Sequence, residues 1–109
     1  PSMVFTNIKV PRSEFPQRGS EFYQKTLVKK SVSIGANATI ICGVTLGAYS
    51  MIGSGSVITK DVPAFALVVG NPGKIIGWVD RKGHRLQFDD GKISKCGHYK
   101  LNNEILVEL

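Results

Sequence analysis

An aliphatic side chain recurs at every sixth position between residues 31 and 63 of this 109-residue chain. The positions are Ile34, Ile40, Leu46, Ile52 and Ile58, and glycine directly follows three of them. Helices repeat every 3.6 residues and strands every two, so neither element alone produces a period of six. A short strand followed by a tight corner does produce it, because three such units close one triangular coil. The repeat therefore predicts a parallel β-solenoid whose interior is filled by every sixth side chain.

A second column with the same period contains small or β-branched residues, as a narrow corner of the coil requires. Its members are Val32, Ala38, Val44, Ser50, Ser56 and Val62. Glycine and asparagine between the columns suit tight corners with positive φ. Each strand would bond to the coil above or below, about 4.8 Å away. The alternative is a β-sandwich, which the unbroken repeat disfavours because sandwich strands alternate and are separated by longer turns.

The chain has 14 Lys and Arg against 8 Asp and Glu, which gives a formal net charge of +6. This excess favours anionic partners such as nucleic acid, a membrane surface or a phosphorylated small molecule. The basic residues are spread along the chain, without the interleaved aromatic residues of single-strand binders. We therefore expect a phosphorylated ligand and no nucleic acid, although the same charge would also serve solubility alone.

The expected cellular location rests on the apolar pattern of the sequence and on its two cysteines. No apolar run approaches the roughly 18 residues of a membrane-spanning helix, and no charged-then-apolar leader is present. Cys42 and Cys96 form no motif and are interpreted as reduced thiols, with a disulfide bridge as the weaker alternative. We therefore expect a cytoplasmic protein with no membrane partner.

Three regions are expected along the chain. Residues 1–63 are predicted to form a hexapeptide-repeat β-helix, interrupted at 8–25 by a loop with two prolines, a glycine and mixed charge. Residues 64–86 lose the repeat and are predicted to fold back on the helix. Residues 87–109 are predicted to form a small C-terminal β extension containing a hairpin.

The repeat is short for a solenoid. Residues 28–63 make only two complete coils, a prism about 10 Å tall, whereas three or more repeats are normally needed to bury such a core. The segment PSMVFT resembles the end of a hexad. We therefore expect about two to three coils in this chain, and we expect the chain to be a fragment whose upstream coils precede Pro1.

The C-terminal half contains further signals. Trp78, in the amphipathic segment IIGWV, is predicted to lie in the core of the fold-back region. Asp90-Gly91 is typical of a hairpin turn, and Asn102-Asn103 is a weaker signal of a second one.

The sequence resembles a known family in four segments: VFTN at 4–7, SIGANATIICGVTLG at 33–47, MIGSGSVITKDVP at 51–63 and VVGNPGKIIGWVDRKGHRL at 68–86. The family is that of the hexapeptide-repeat acyltransferases. The match is closer to its N-acetyltransferases, which acylate amino groups on nucleotide-linked sugars for bacterial surface polysaccharides. The resemblance covers about residues 1–88. The hexads identify only the fold, whereas GNP followed by IGWV and GHRL is more specific.

The resemblance implies an all-β fold, a left-handed parallel β-helix that assembles as a homotrimer with coenzyme A in a groove between subunits. The handedness rests on the resemblance alone, since parallel crossovers are otherwise almost always right-handed. Acetyl-CoA is the implied co-substrate, a nucleotide-linked amino sugar the implied acceptor, and no metal is required. Attack of the sugar amine on the thioester needs an anion-binding groove, a held amine and donors for the oxyanion.

The same resemblance implies the residues that bind the carrier. They are Ser54, Gly55, Thr59 and Lys60 along its wall, Gly70, Asn71 and Pro72 near the adenosine end, and Lys74 at a phosphate. A structural interpretation stays open for each group. Gly55 would only turn a corner, Lys60 would be a solvated charge, and the GNP segment would end the helix. Gly73 stands where the family commonly has alanine, which we expect to add only backbone freedom.

The catalytic residue implied by the resemblance is Asn7 of the FTN motif. An amide cannot abstract a proton at neutral pH, but it can orient an amine that attacks in its neutral form. Phe5 and Arg12 are the implied contacts to the acceptor. Many relatives use a histidine as general base, but the repeat contains none. The alternative for Asn7 is a turn residue that closes the coil.

Other functions stay open. The nearest is an O-acetyltransferase acting on a small hydroxylated acceptor. A non-catalytic β-helix module that only trimerises is a second alternative. A zinc hydratase on the same helix would need histidine ligands between subunits, and no histidine precedes Gly83.

Overall fold

The computed structural model describes Val4, Phe5 and residues 26–109, and this part of the chain is all-β, as predicted. Its strands are β1 (Val4–Phe5), β2 (Leu27–Val28), β3 (Ser33–Ile34), β4 (Thr39–Ile40), β5 (Thr45–Leu46), β6 (Met51–Ile52), β7 (Val57–Ile58), β8 (Ala66–Val69), β9 (Lys74–Trp78), β10 (Tyr99–Asn102) and β11 (Ile105–Glu108). In these residues no helix is long and apolar enough to cross a membrane.

Strands β1 to β8 wind into a coil with three faces. One face contains β1, β4 and β7 in parallel, the second contains β2 and β5, and the third contains β3, β6 and β8. Strands β2, β3 and β4 each pair with the strand three hexads later, as Ser33 does with Met51 and Thr39 with Val57. The hexad is therefore one side of a triangle, which is the architecture that the repeat predicts.

The interior of the coil is filled by the periodic aliphatic side chains, and this prediction is confirmed. Ile40, Leu46, Ile52 and Ile58 are almost completely buried. Burial of each such side chain contributes about 1.5–3 kcal/mol to folding. Ile34 is half-buried, because its level of the coil lies at one end of the described stack. The second column is also internal, since Ala38, Val44, Ser50, Ser56 and Val62 are all buried.

That first level of the coil exposes apolar side chains. Phe5, Leu27 and Val28 are 43%, 53% and 42% exposed. Their strands pair on one side only among the described residues. This end of the prism therefore presents an apolar surface.

The corners of the coil have positive φ with the same period of six. The residues are Ser31, Asn37, Gly43, Tyr49 and Gly55, with φ of 56°, 61°, 85°, 61° and 72°. Small residues were expected at these corners, and Tyr49 is the exception. A non-glycine residue in this conformation costs roughly 1–2 kcal/mol. The ring of Tyr49 therefore needs compensating contacts.

The compensation comes from the C-terminal half of the chain. The ring of Phe65, another residue with positive φ, stacks on Tyr49 with centroids 5.3 Å apart. Tyr99 meets the Phe65 ring edge-on at 5.5 Å. Arg81 lies over Tyr49 at 5.1 Å and donates two hydrogen bonds to Glu108, at 2.9 and 2.6 Å. These contacts join the extension at 87–109 to a corner of the β-helix.

Antiparallel pairs follow the parallel coil. Strand β9 pairs with β8, and Trp78 at its end is buried, as predicted. Strands β10 and β11 form a hairpin in which Tyr99 pairs with Glu108 at one end and Asn102 pairs with Ile105 at the other. Asn103, in the turn between them, has φ of 58°. The other turn signal, Asp90-Gly91, lies in a turn where the Lys92 amide donates to the Asp89 carbonyl at 3.0 Å.

Candidate functional site

A groove of about 380 Å³ lies between the segment that follows β7 and the start of β9. Thr59, Lys60 and Lys74 line it, and we call it the β7–β9 groove. The side chains of Ile58 and Val68 form its apolar floor. The structure thus brings together three of the residues that the sequence predicts for carrier binding, from segments 14 residues apart at Lys60 and Lys74.

Hydrogen bonds hold the turn that precedes β9 against the start of β7. The Gly70 amide donates to Ser56 Oγ at 3.1 Å, and the Val57 amide donates to the Gly70 carbonyl at 2.9 Å. The Gly73 amide donates to the Val57 carbonyl at 2.8 Å. Inside the turn the Asn71–Pro72 peptide bond is cis. Lys74 follows directly, so the position of its backbone at the groove is fixed by these bonds.

Gly73 has a role that the sequence did not predict. A Cβ on this residue would lie 2.8 Å from Ile58 Cδ1 and 2.9 Å from Val68 Cγ1, both in the buried core. We expected Gly73 to add only backbone freedom. The structure shows instead that the turn approaches the core too closely for a side chain without a shift of its neighbours.

The charges along the groove are mixed. Lys60 and Lys74 are exposed, and in the part of the chain that the structure describes neither makes an ion pair. Asp61 and Glu104 also line the groove. The Asp61 carboxylate accepts a hydrogen bond from the Thr45 amide at 2.8 Å, so one acid is used in holding the coil. Both ammonium groups are therefore available to an anionic ligand.

The remaining predicted carrier residues do not line the groove. Gly70, Asn71 and Pro72 are exposed in the turn that the groove borders. Ser54 and Gly55 are exposed at the corner before β7 and do not line the groove. The φ of Gly55 is 72°, and its amide donates to the Ala36 carbonyl at 2.9 Å. This geometry accounts for Gly55 as a corner residue, and its contact with a carrier stays a prediction.

The predicted acceptor residues are described only in part. Asn7 and Arg12 lie outside the described residues. Phe5 lies in β1, on the same face of the coil as the groove, because Phe5 pairs with Ile40 and Ile40 with Ile58. Two strand spacings, about 10 Å, therefore separate Phe5 from Ile58 along this face.

Glu104 is a groove residue that the sequence analysis missed. It belongs to the turn between β10 and β11, beyond the segments that resemble the acyltransferases. No repeat or motif indicated it, because the sequence of a turn does not show which surface its hairpin packs against.

The titratable groups with shifted pKa values lie away from the groove. A hydrogen bond and the charge of Glu108 raise the pKa of Arg81. A hydrogen bond with Ser94 lowers the pKa of the Cys96 thiol. The His84 Nδ1 lies 3.7 Å from Asp80 Oδ2, and neither His84 nor His98 lines the groove. Among the described residues, no three His, Cys, Asp or Glu side chains cluster as metal ligands.

Comparison with known proteins now identifies the repeat. Residues 25–60 match the family described as bacterial transferase hexapeptide, six repeats. This match is limited to the repeat segment, about one third of the chain. The match covers the hexads of strands β2 to β7 and confirms the resemblance seen in the sequence.

Relatives of the hexapeptide segment are acetyltransferases by name. A dTDP-3-amino-3,6-dideoxy-alpha-D-galactopyranose 3-N-acetyltransferase of Aneurinibacillus thermoaerophilus is 43% identical over 91 residues, 82% of this chain and 47% of its own length. A hexapeptide-repeat acetyltransferase of Vibrio cholerae, solved with acetyl-CoA, is 30% identical with a TM-score of 0.59, over 71% of this chain and 42% of that one. A galactoside acetyltransferase solved with coenzyme A is 32% identical with a TM-score of 0.54, over 63% and 34%. This chain therefore spans less than half of each.

Proposed function

We propose that this chain is part of an acetyl-CoA-dependent N-acetyltransferase whose acceptor is a nucleotide-linked amino sugar. The observation that supports this most directly is the β7–β9 groove, where Thr59, Lys60 and Lys74 meet beside the turn at 70–73. The Aneurinibacillus relative, named for N-acetylation of a dTDP-linked amino sugar, supports the acceptor class.

The lysines suit the phosphates of coenzyme A. An ammonium group donates charge-assisted hydrogen bonds to phosphate oxygens, which are stronger than neutral ones. Lys60 follows β7 and Lys74 begins β9, so two separate segments each bring an ammonium group to the groove for the phosphates. The apolar floor at Ile58 and Val68 suits the remainder of the carrier, because ligand sites combine apolar walls with a few polar anchors.

The reaction needs little chemistry from the protein. The neutral amine nitrogen attacks the thioester carbonyl, the C–N bond forms, the C–S bond breaks, and the proton lost by nitrogen balances the thiolate. We propose that Asn7 orients the amine and that Phe5 and Arg12 contact the acceptor. The position of Phe5 on the face that also borders the groove supports this arrangement, with the acceptor and the carrier phosphates at opposite ends of one face.

We also propose the left-handed winding, the homotrimer and the cytoplasmic location that the resemblance and composition imply. A second candidate acceptor is the hydroxyl of a small sugar. The fold similarity to the galactoside acetyltransferase supports it. The two candidates share the carrier and differ only at the acceptor.

Two measurements test the proposal. Calorimetry with acetyl-CoA tests the groove, and we expect binding that Lys74→Gln weakens. Thiol release with dTDP-linked amino sugars, galactosides and serine then tests the acceptor. Release with the amino sugars alone is the expected result. Thiol release with galactosides alone would establish the hydroxyl acceptor. Absence of acetyl-CoA binding in the calorimetry would favour the non-catalytic β-helix module instead.

A further inference from the structure

The C-terminal hairpin contributes a wall to the β7–β9 groove. Glu104, in the turn between β10 and β11, lines the groove together with Lys60 and Lys74. The turn comes more than 40 residues after Thr59 and lies beyond the repeat. An acidic side chain from a separate element therefore lines the same groove as two basic side chains.

The hairpin is held in this position by contacts at its other end. Tyr99 begins β10 and is buried against the Phe65 ring, and its pairing partner Glu108 binds Arg81. Leu106 of β11 is buried as well. With a four-residue strand of about 13 Å between this anchor and the turn, the location of Glu104 is set by packing.

Glu104 changes the charge balance of the groove. Asp61 is engaged with the Thr45 amide, whereas Glu104 makes no hydrogen bond or ion pair in the described part of the chain. It is also exposed. Its carboxylate therefore opposes the field of Lys60 and Lys74 without neutralising either by direct contact.

We propose that Glu104 is a specificity-determining residue of the groove, where its carboxylate disfavours a ligand phosphate bound by Lys60 or Lys74. The inference rests on the proposed function. Coenzyme A and acetyl-CoA carry the same phosphates, so a contact to a phosphate stabilises the bound substrate, the transition state and the bound product equally. Such a contact does not speed the chemical step, and it slows release of coenzyme A. An opposing carboxylate limits that binding and favours turnover.

The test compares coenzyme A with 3′-dephospho-CoA by calorimetry at about 20 mM and at 500 mM NaCl. Glu104→Gln removes the charge and keeps the shape. We expect it to bind coenzyme A two- to five-fold more tightly at low salt, with a smaller gain for 3′-dephospho-CoA. The gain should disappear at high salt, where exposed charges are screened. Glu104→Lys should give a larger gain in the same direction.

Asp90→Asn is the matched control, because it removes one acidic charge from the other turn of the extension, outside the groove. Its Kd should equal that of the unchanged chain. Thermal melting confirms that each variant is folded. Equal Kd values for Glu104→Gln and Asp90→Asn, or weaker binding by Glu104→Gln, would overturn the inference while leaving the proposed function standing. Failure of the unchanged chain to bind coenzyme A would overturn both.

Discussion

The ring of Phe65 stacks on the ring of Tyr49 with an interplanar angle of 10°, and both residues have positive φ. Each residue alone would be a costly choice for its corner of the coil. The Phe65 ring in turn provides the surface that Tyr99 meets edge-on. The strained corners and the attachment of the C-terminal hairpin are therefore parts of one arrangement.

Replacement of Phe65 by alanine should destabilise the protein by about 3–5 kcal/mol, because it removes a buried aromatic side chain from between two rings. Urea denaturation measures the change. Tyr99→Phe is the control, since it keeps the edge-on ring contact and loses only a 3.4 Å hydrogen bond from the Arg81 amide. A loss below about 1 kcal/mol for Phe65→Ala would show that the stack is not a structural anchor.

Gly73→Ala should destabilise the protein by about 1–2 kcal/mol, because the new Cβ crowds Ile58 Cδ1. The change should be smaller in an Ile58→Val background, which lacks that methyl group. A double-mutant cycle in urea measures the coupling between the two positions. Strict additivity, or a stabilising Gly73→Ala, would contradict the close approach of turn and core.

The levels of the coil should differ in their response to core truncation. Ile52→Ala leaves a cavity in the middle of the stack and should cost about 2–5 kcal/mol. Ile34→Ala, at the half-buried first level, should cost clearly less. Equal losses of unfolding free energy for the two variants would mean that Ile34 is packed as fully as Ile52.

Alkylation of Cys96 should proceed at lower pH than for an ordinary cysteine, whose pKa is about 8.5, because the Ser94 hydrogen bond lowers its pKa. Only the thiolate reacts, so the pH midpoint of the iodoacetamide rate reports this shift. Cys96 is exposed and Cys42 is buried, so we expect alkylation at Cys96, and mass spectrometry of the labelled peptides checks the site. Ser94→Ala should move the midpoint upward. An unchanged midpoint in that variant would contradict the assigned cause.

The sequence predicted the periodic part of the fold well. A period of six determines which side chains are internal, so the burial of Ile40 and Ser56 follows from spacing alone. Aperiodic packing was not predictable. Phe65 stacks on Tyr49 at its strained corner, and a Cβ at Gly73 would crowd Ile58, 15 residues away; neither contact follows the period of six.

The candidate site likewise has a part that the sequence predicted and a part that it did not. The motifs identified Thr59, Lys60 and Lys74, which the structure brings together, but gave no sign of Glu104. Its position depends on how a hairpin outside the repeat packs against the helix. The roles of Asn7 and Arg12, outside the described residues, stay predictions, as does the left-handed winding.

The central claim is that the β7–β9 groove binds a phosphorylated acyl carrier. Its most direct test is the Kd for acetyl-CoA of the double variant Lys60→Gln/Lys74→Gln, compared with Lys82→Gln/Lys100→Gln, which loses the same charge outside the groove. Each charge-assisted hydrogen bond is worth about 1.5–3 kcal/mol, so the groove variant should bind at least about ten-fold more weakly than the control. Equal Kd values for the two double variants would contradict the claim.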